Sequence, residues 1–127
     1  MEIIIVIVIV GIAAGILTTG GWRRSFEKQR GLEAMHNLQL IYNAEKRRLL
    51  DQGDYFSCSP CAAKDITDNL GILVSPNYFT YSITAFSLNQ RKGFEAVAVR
   101  KSGICRGRRM WLNQSSSDVV KGCEAWE

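Results

Sequence analysis

Residues 3–22 form a charge-free apolar run with one carboxylate, Glu2, directly ahead of it. An ionisable group near the centre of a membrane segment costs roughly 2.5–3.5 kcal/mol on insertion scales, so such segments normally exclude one. A carboxylate kept at the mouth of the run therefore points to a task beyond anchoring. Twenty residues rising 1.5 Å each span about 30 Å, the thickness of a bilayer core. Residues 3–10 are all β-branched, a composition that favours a strand in water. In lipid that preference is overridden, because only a helix satisfies every backbone group within one segment. The run reads as a membrane helix.

A cleavable secretory signal is the alternative. It fits less well: no positive charge precedes the run, Glu2 occupies the leading segment, and no small-residue cleavage site follows. With about 22 residues in the membrane, roughly 100 remain for one small domain plus an extension. All four cysteines lie in that remainder. An even number of cysteines behind a membrane segment suits an oxidising compartment, where disulfides staple small domains.

From Trp22 the sequence turns charged and amphipathic without a linker. Ala34, Met35, Leu38, Ile41, Tyr42, Leu49 and Leu50 recur at three- and four-residue steps, the period of a helix face. Charges such as Glu27 and Glu45 fall between them and give a mixed face. Gly53 is placed to cap the end, so the pattern predicts one helix over 2–52, interrupted by Gly11, Gly15, Gly20 and Gly21. Each glycine weakens a helix by about 1 kcal/mol relative to alanine, and bending is expected over 11–21. Residues 53–76 read as an irregular connection, with a short helix over 62–70. Strands are expected over 78–86, 94–100 and 109–113, the first two joined through 89–93. They form an antiparallel meander, and 114–127 reads as a loop anchored by Cys123.

Glu2, the aliphatics after it, Gly11 and the following Ile-Ala-Ala-Gly15 resemble the N-methylation segment of type IV pilins and pseudopilins. The resemblance is specific over residues 1–18 and rests on the order of elements beyond 22. It implies a pilin-like α+β fold, in which a long N-terminal helix packs on a small antiparallel sheet. Its parts would be a membrane or filament-core half (1–22), an amphipathic half (23–52) and a globular domain (53–127). Within the last lie the connecting loop 53–76, the meander 77–113 and a disulfide-bounded loop 105–123. The family's basic leader is missing, which implies that Met1 is an internal residue. Thr18-Thr19-Gly20-Gly21 stands where many pilins carry a proline.

The resemblance also implies a function: a structural subunit of an extracellular type IV pilus-like filament. The subunit would sit in the bacterial inner membrane before assembly, be processed by a prepilin peptidase and pass to the pilus assembly machinery. Partners are then further copies of the chain in a helical filament. Burial of the aliphatics between neighbouring helices supplies cohesion, about 1.5–3 kcal/mol for each fully buried side chain. Glu2 would pair with the N-terminal amine of an adjacent subunit and mark the register, since a mispaired carboxylate stays buried and uncompensated. The plain alternative for Glu2 is a solvated charge favouring the helix dipole. Gly11 and Gly15 also make a close-approach pattern for membrane helices. Trp22, Arg23 and Arg24 read as an interfacial anchor.

A bridge between Cys105 and Cys123 would hold the C-terminal loop on the sheet, as in many pilins. Cys58-Ser-Pro-Cys61 is read as a local bridge, with crossed bridges to Cys105 and Cys123 or a four-cysteine zinc site as alternatives. Arg91, Lys92, Arg100, Lys101, Arg106, Arg108 and Arg109 stand against Glu95 alone. They read either as a patch for DNA, as in a competence-type pilin, or as a solvated face pairing between subunits with Glu27, Glu33, Asp51 or Asp54. A type II secretion pseudopilin is the other alternative, yet the tail offers a calcium site only Asp118, Glu124 and Glu127. Asn113-Gln-Ser115 is a glycosylation pattern. His36, the single histidine, lies on the amphipathic helix and reads as a surface or core residue. No catalytic residue, metal or cofactor is expected.

Overall fold

The computed structural model describes residues 21–127, with side chains from Arg24 onward. Glu2, Gly11, Gly15, Gly20 and the expected membrane half lie outside the described residues. Among the described residues no helix is long and apolar enough to cross a membrane.

The amphipathic pattern forms one helix, α1, over Gly21–Gln52. Ala34, Leu38 and Ile41 are fully buried on one side, with Ala44 beside them, while Leu50 is exposed. Gly53 closes the helix with φ +80°, its N–H donating to the Leu49 carbonyl at 2.9 Å. That left-handed cap is the geometry glycine adopts without steric cost.

The segment after Gly53 is less irregular than its turn residues suggest. Cys58 makes an antiparallel bridge to Ile83, and the Cys61 N–H donates to the Tyr81 carbonyl at 2.7 Å. These bonds lay the 58–61 stretch along the outer edge of the first strand, where an exposed ladder would invite pairing with another chain. A short helix, α2, follows over Ala63–Leu70. Ile66 and Leu70 turn inward from it, and Gly71 (φ +70°) caps it.

Four strands follow: β1 (Phe79–Leu88), β2 (Arg91–Arg100), β3 (Arg109–Asn113) and β4 (Ser116–Lys121). They form one antiparallel sheet in sequence order. The sequence predicts three strands and a terminal loop; the structure corrects this. The fourth strand pairs Trp111 with Val120 and Met110 with Lys121, with an irregularity near Asn113. The β1–β2 connection is also shorter than expected. It narrows to Asn89 and Gln90, both at positive φ, as a two-residue type I′ hairpin requires.

Alternation along the strands sets the faces. Phe79, Tyr81 and Ile83 of β1, Phe94, Ala96 and Ala98 of β2, and Met110 and Leu112 of β3 are buried on the face toward α1. The small Ala96 and Ala98 leave room for the helix. Contacts along the interface fix the direction. Glu27 meets Arg100 near the start of α1, and Tyr42 meets Phe94 further along it, with ring centroids 6.2 Å apart. The fifteen helical steps from Glu27 to Tyr42 rise about 22 Å, matching roughly 20 Å for the strand from Phe94 to Arg100. Helix α1 therefore runs antiparallel to β2 along its length.

Candidate functional site

The densest polar chemistry lies where the start of α1, the end of β2 and the C-terminus meet. Glu27 and Arg100 are 3 % and 2 % exposed. Burying either charge alone would be costly, so each needs a full set of partners. The Arg100 guanidinium supplies a two-pronged fork: Nε donates to Glu27 Oε1 at 2.8 Å and Nη2 to Oε2 at 3.1 Å. Its remaining Nη1 donates to the Tyr78 carbonyl at 2.9 Å. The Trp126 indole N–H adds a third donor to Glu27 Oε1, at 3.2 Å. This pairing within one chain replaces the expected pairing of Glu27 between subunits, and it withdraws Arg100 from the surface patch.

Close packing around the pair requires two glycines. A Cβ on Gly31 of α1 would lie 2.4 Å from the Trp126 ring, so only glycine lets the indole rest against the helix. Gly103 has φ +88°, and a side chain there would sit 3.3 Å from both Arg100 Nη2 and Glu27 Oε2. Trp126 also packs against Phe79, with centroids 5.6 Å apart. Its short 3₁₀ turn, Glu124–Trp126, lies in the segment the sequence suggests is a loop anchored by Cys123. The missed signal is a tryptophan one residue from the end, too large and apolar to be left in water without cost.

Both local cysteine pairings are present: Cys58–Cys61 and Cys105–Cys123 are disulfides. The second ties the loop after Arg100 to the segment that carries Trp126. Among the described residues no group of three or more His, Cys, Asp or Glu side chains could hold a metal ion. His36 is exposed, as are Asp118, Glu124 and Glu127. Asn113 is exposed in the β3–β4 turn, where its side-chain oxygen accepts the Ser115 N–H at 2.9 Å.

The basic residues do not share one face. Arg91 and Lys92 begin β2, and Lys92 donates to the Gly53 carbonyl at the far end of α1. Lys101, Arg106, Arg108 and Arg109 lie beyond the other end of β2, roughly 30 Å away along the strand. The single patch over 91–109, one of the two readings of these residues, is instead two groups at opposite poles, because a ten-residue strand separates them. Arg109 rides on Trp111, 5.7 Å from the ring centroid.

A second buried acid lies toward the other end of α1. Glu45 is fully buried, and both of its oxygens accept the Phe56 N–H, at 3.2 and 3.0 Å. Burial pushes its pKa up to about 7, against the smaller lowering effects of the Phe56 N–H and of nearby Arg48. Midway along the helix, the Asn37 amide donates to the Tyr81 hydroxyl at 3.0 Å, and burial raises that phenol to about 12. Three polar contacts thus pin α1 to the sheet and the following loop at its start, middle and end. Comparison with protein-family models, curated proteins and solved structures finds no match to this chain.

Proposed function

We propose that the chain is a structural subunit of a type IV pilus-like filament. The observation that carries this reading is the continuity between two pieces. The apolar run headed by Glu2 leads into Gly21, the first residue of a 32-residue helix that lies along a four-stranded antiparallel sheet. A helix held to its domain by Glu27–Arg100, Asn37–Tyr81 and Glu45–Phe56 is suited to transmit load between a helical filament core and an outer globular layer. In this reading Glu2 sets the register of the apolar helices and the Cys105–Cys123 bridge secures the tail of the domain. The DNA-binding alternative is weakened by the division of its basic residues between two poles.

Glu2→Ala and Glu2→Val test the proposal. Both variants should enter the membrane as the parent does, and both should yield far fewer filaments in sheared surface fractions viewed by electron microscopy. Normal filament yield in either variant would refute the role of Glu2. Absence of this chain from any filament would refute the proposal itself.

A further inference from the structure

Helix α1 begins at Gly21, and the run read above as a membrane span ends one residue later, at Trp22. Because α1 runs antiparallel to β2, the loop between β2 and β3 lies at the same pole as Gly21. Glu27, bonded to the last residue of β2, is only about 9 Å along the helix from Gly21. Gly103 reaches the same level, close to the Glu27 carboxylate.

This pole is basic. Lys101, Arg106, Arg108 and Arg109 are exposed on the loop and the start of β3, and Arg24 and Lys28 are exposed on α1. Glu124 and Glu127 share a groove with Arg24 and Lys28 and offset part of that charge. Ile104 projects from the middle of the loop at 59 % exposure, flanked by these cations. The loop is a built feature: Cys105 is fully buried and bridged to Cys123, and the Gly107 N–H bonds back to the Arg100 carbonyl at 2.9 Å. The Lys101 ammonium donates to the Pro76 carbonyl and Arg109 rides on Trp111, so Arg106 and Arg108 are the exposed cations carried by the braced loop itself.

We propose that this pole is a docking surface for an anionic bilayer, on which the globular domain rests while the subunit waits in the membrane. The occupant follows from position and charge. A membrane span ending at Trp22 brings the lipid headgroups within about one Debye length of the loop, roughly 8–10 Å at ordinary salt. Clustered lysine and arginine beside a membrane helix are attracted to anionic headgroups, and Ile104 can enter the interfacial layer. Arg91 and Lys92, at the opposite pole, take no part. The inference rests on the membrane-inserted reading of residues 3–22.

The test uses the full chain reconstituted into vesicles of pure phosphatidylcholine or of phosphatidylcholine with phosphatidylglycerol. Hydrogen–deuterium exchange is followed over 101–109, with the 88–92 hairpin as internal reference. Exchange over 101–109 should slow several-fold in the anionic vesicles only. Raised salt and Arg106→Gln/Arg108→Gln should each abolish the difference, while the hairpin stays unchanged in every case. Equal exchange in both vesicle types would overturn the proposal. So would protection by duplex DNA with none by the anionic bilayer, which would assign the pole to nucleic acid. Failure of the chain to float with either vesicle type would instead refute the membrane reading beneath it.

Discussion

Glu27 and Glu45 are acids on the same helix, both buried, and their surroundings set them apart. Glu27 receives a guanidinium fork and an indole N–H, whereas the hydrogen bonds to Glu45 come from the Phe56 N–H. Removing one member of a buried pair leaves the other uncompensated, so Arg100→Met should cost about 3–5 kcal/mol. The double variant Glu27→Met/Arg100→Met should recover much of that loss, and urea unfolding of the chain in detergent would measure both. Glu45 makes the opposite kind of prediction. Its folded-state pKa, about 7, lies above the ordinary 4.5, so between those values the folded chain holds a proton that the unfolded chain has released. Stability from this group is complete below about pH 4.5 and is lost as pH rises through 7, by about 3 kcal/mol. Melting midpoints should fall across that window, and Glu45→Gln should flatten the profile while matching the parent at the acid end. Sequence periodicity reveals neither environment. It marks both acids as interruptions of a mixed face, because their burial depends on partners that helical spacing does not encode. Arg100, for example, is 73 positions from Glu27.

Among the elements, those with strong local signals are the ones legible in the sequence. The period of α1, the glycine at its end and the aromatic, β-branched β1 all have local causes and form as expected. Strand β4 was hidden because Ser116, Ser117 and Asp118 carry no strand signal, and only Val119 and Val120 hint at one. It forms because β3 offers it an edge, a tertiary cause that overrides propensity. The hairpin between β1 and β2 shows a local mismatch. Gln90 sits at φ +68°, a left-handed conformation that costs an ordinary residue about 1 kcal/mol. Gln90→Gly should therefore stabilise the domain by about 1 kcal/mol or slightly less, the Asn-Gly pair being the favoured type I′ turn. A rise in the urea midpoint with unchanged slope would confirm it.

At the scale of the whole molecule, distant parts of the chain converge on one pole. The start of α1, the end of β2, the Cys105 loop and the C-terminal Trp126 all meet around Glu27. Their order in sequence makes the Cys105–Cys123 bridge the clamp on this arrangement. Cys105 follows Arg100 by five residues and Cys123 precedes Trp126 by three, so the bridge holds the two donors to Glu27 in register. Closing a loop of 18 residues stabilises by about 3 kcal/mol through the unfolded state alone. Were that the whole effect, Cys105→Ser/Cys123→Ser would shift stability and leave the Trp126 contribution intact. The convergence predicts otherwise: without the bridge, the tail can lift its indole from Gly31 and Phe79 before the sheet unfolds. Trp126→Phe should therefore destabilise the bridged protein by about 2–3 kcal/mol, because it removes the indole N–H that Glu27 accepts and leaves a gap where the larger ring sat. It should cost distinctly less in the serine background. A double-mutant cycle measures that difference, and additive losses would mean that the bridge and the tryptophan act independently.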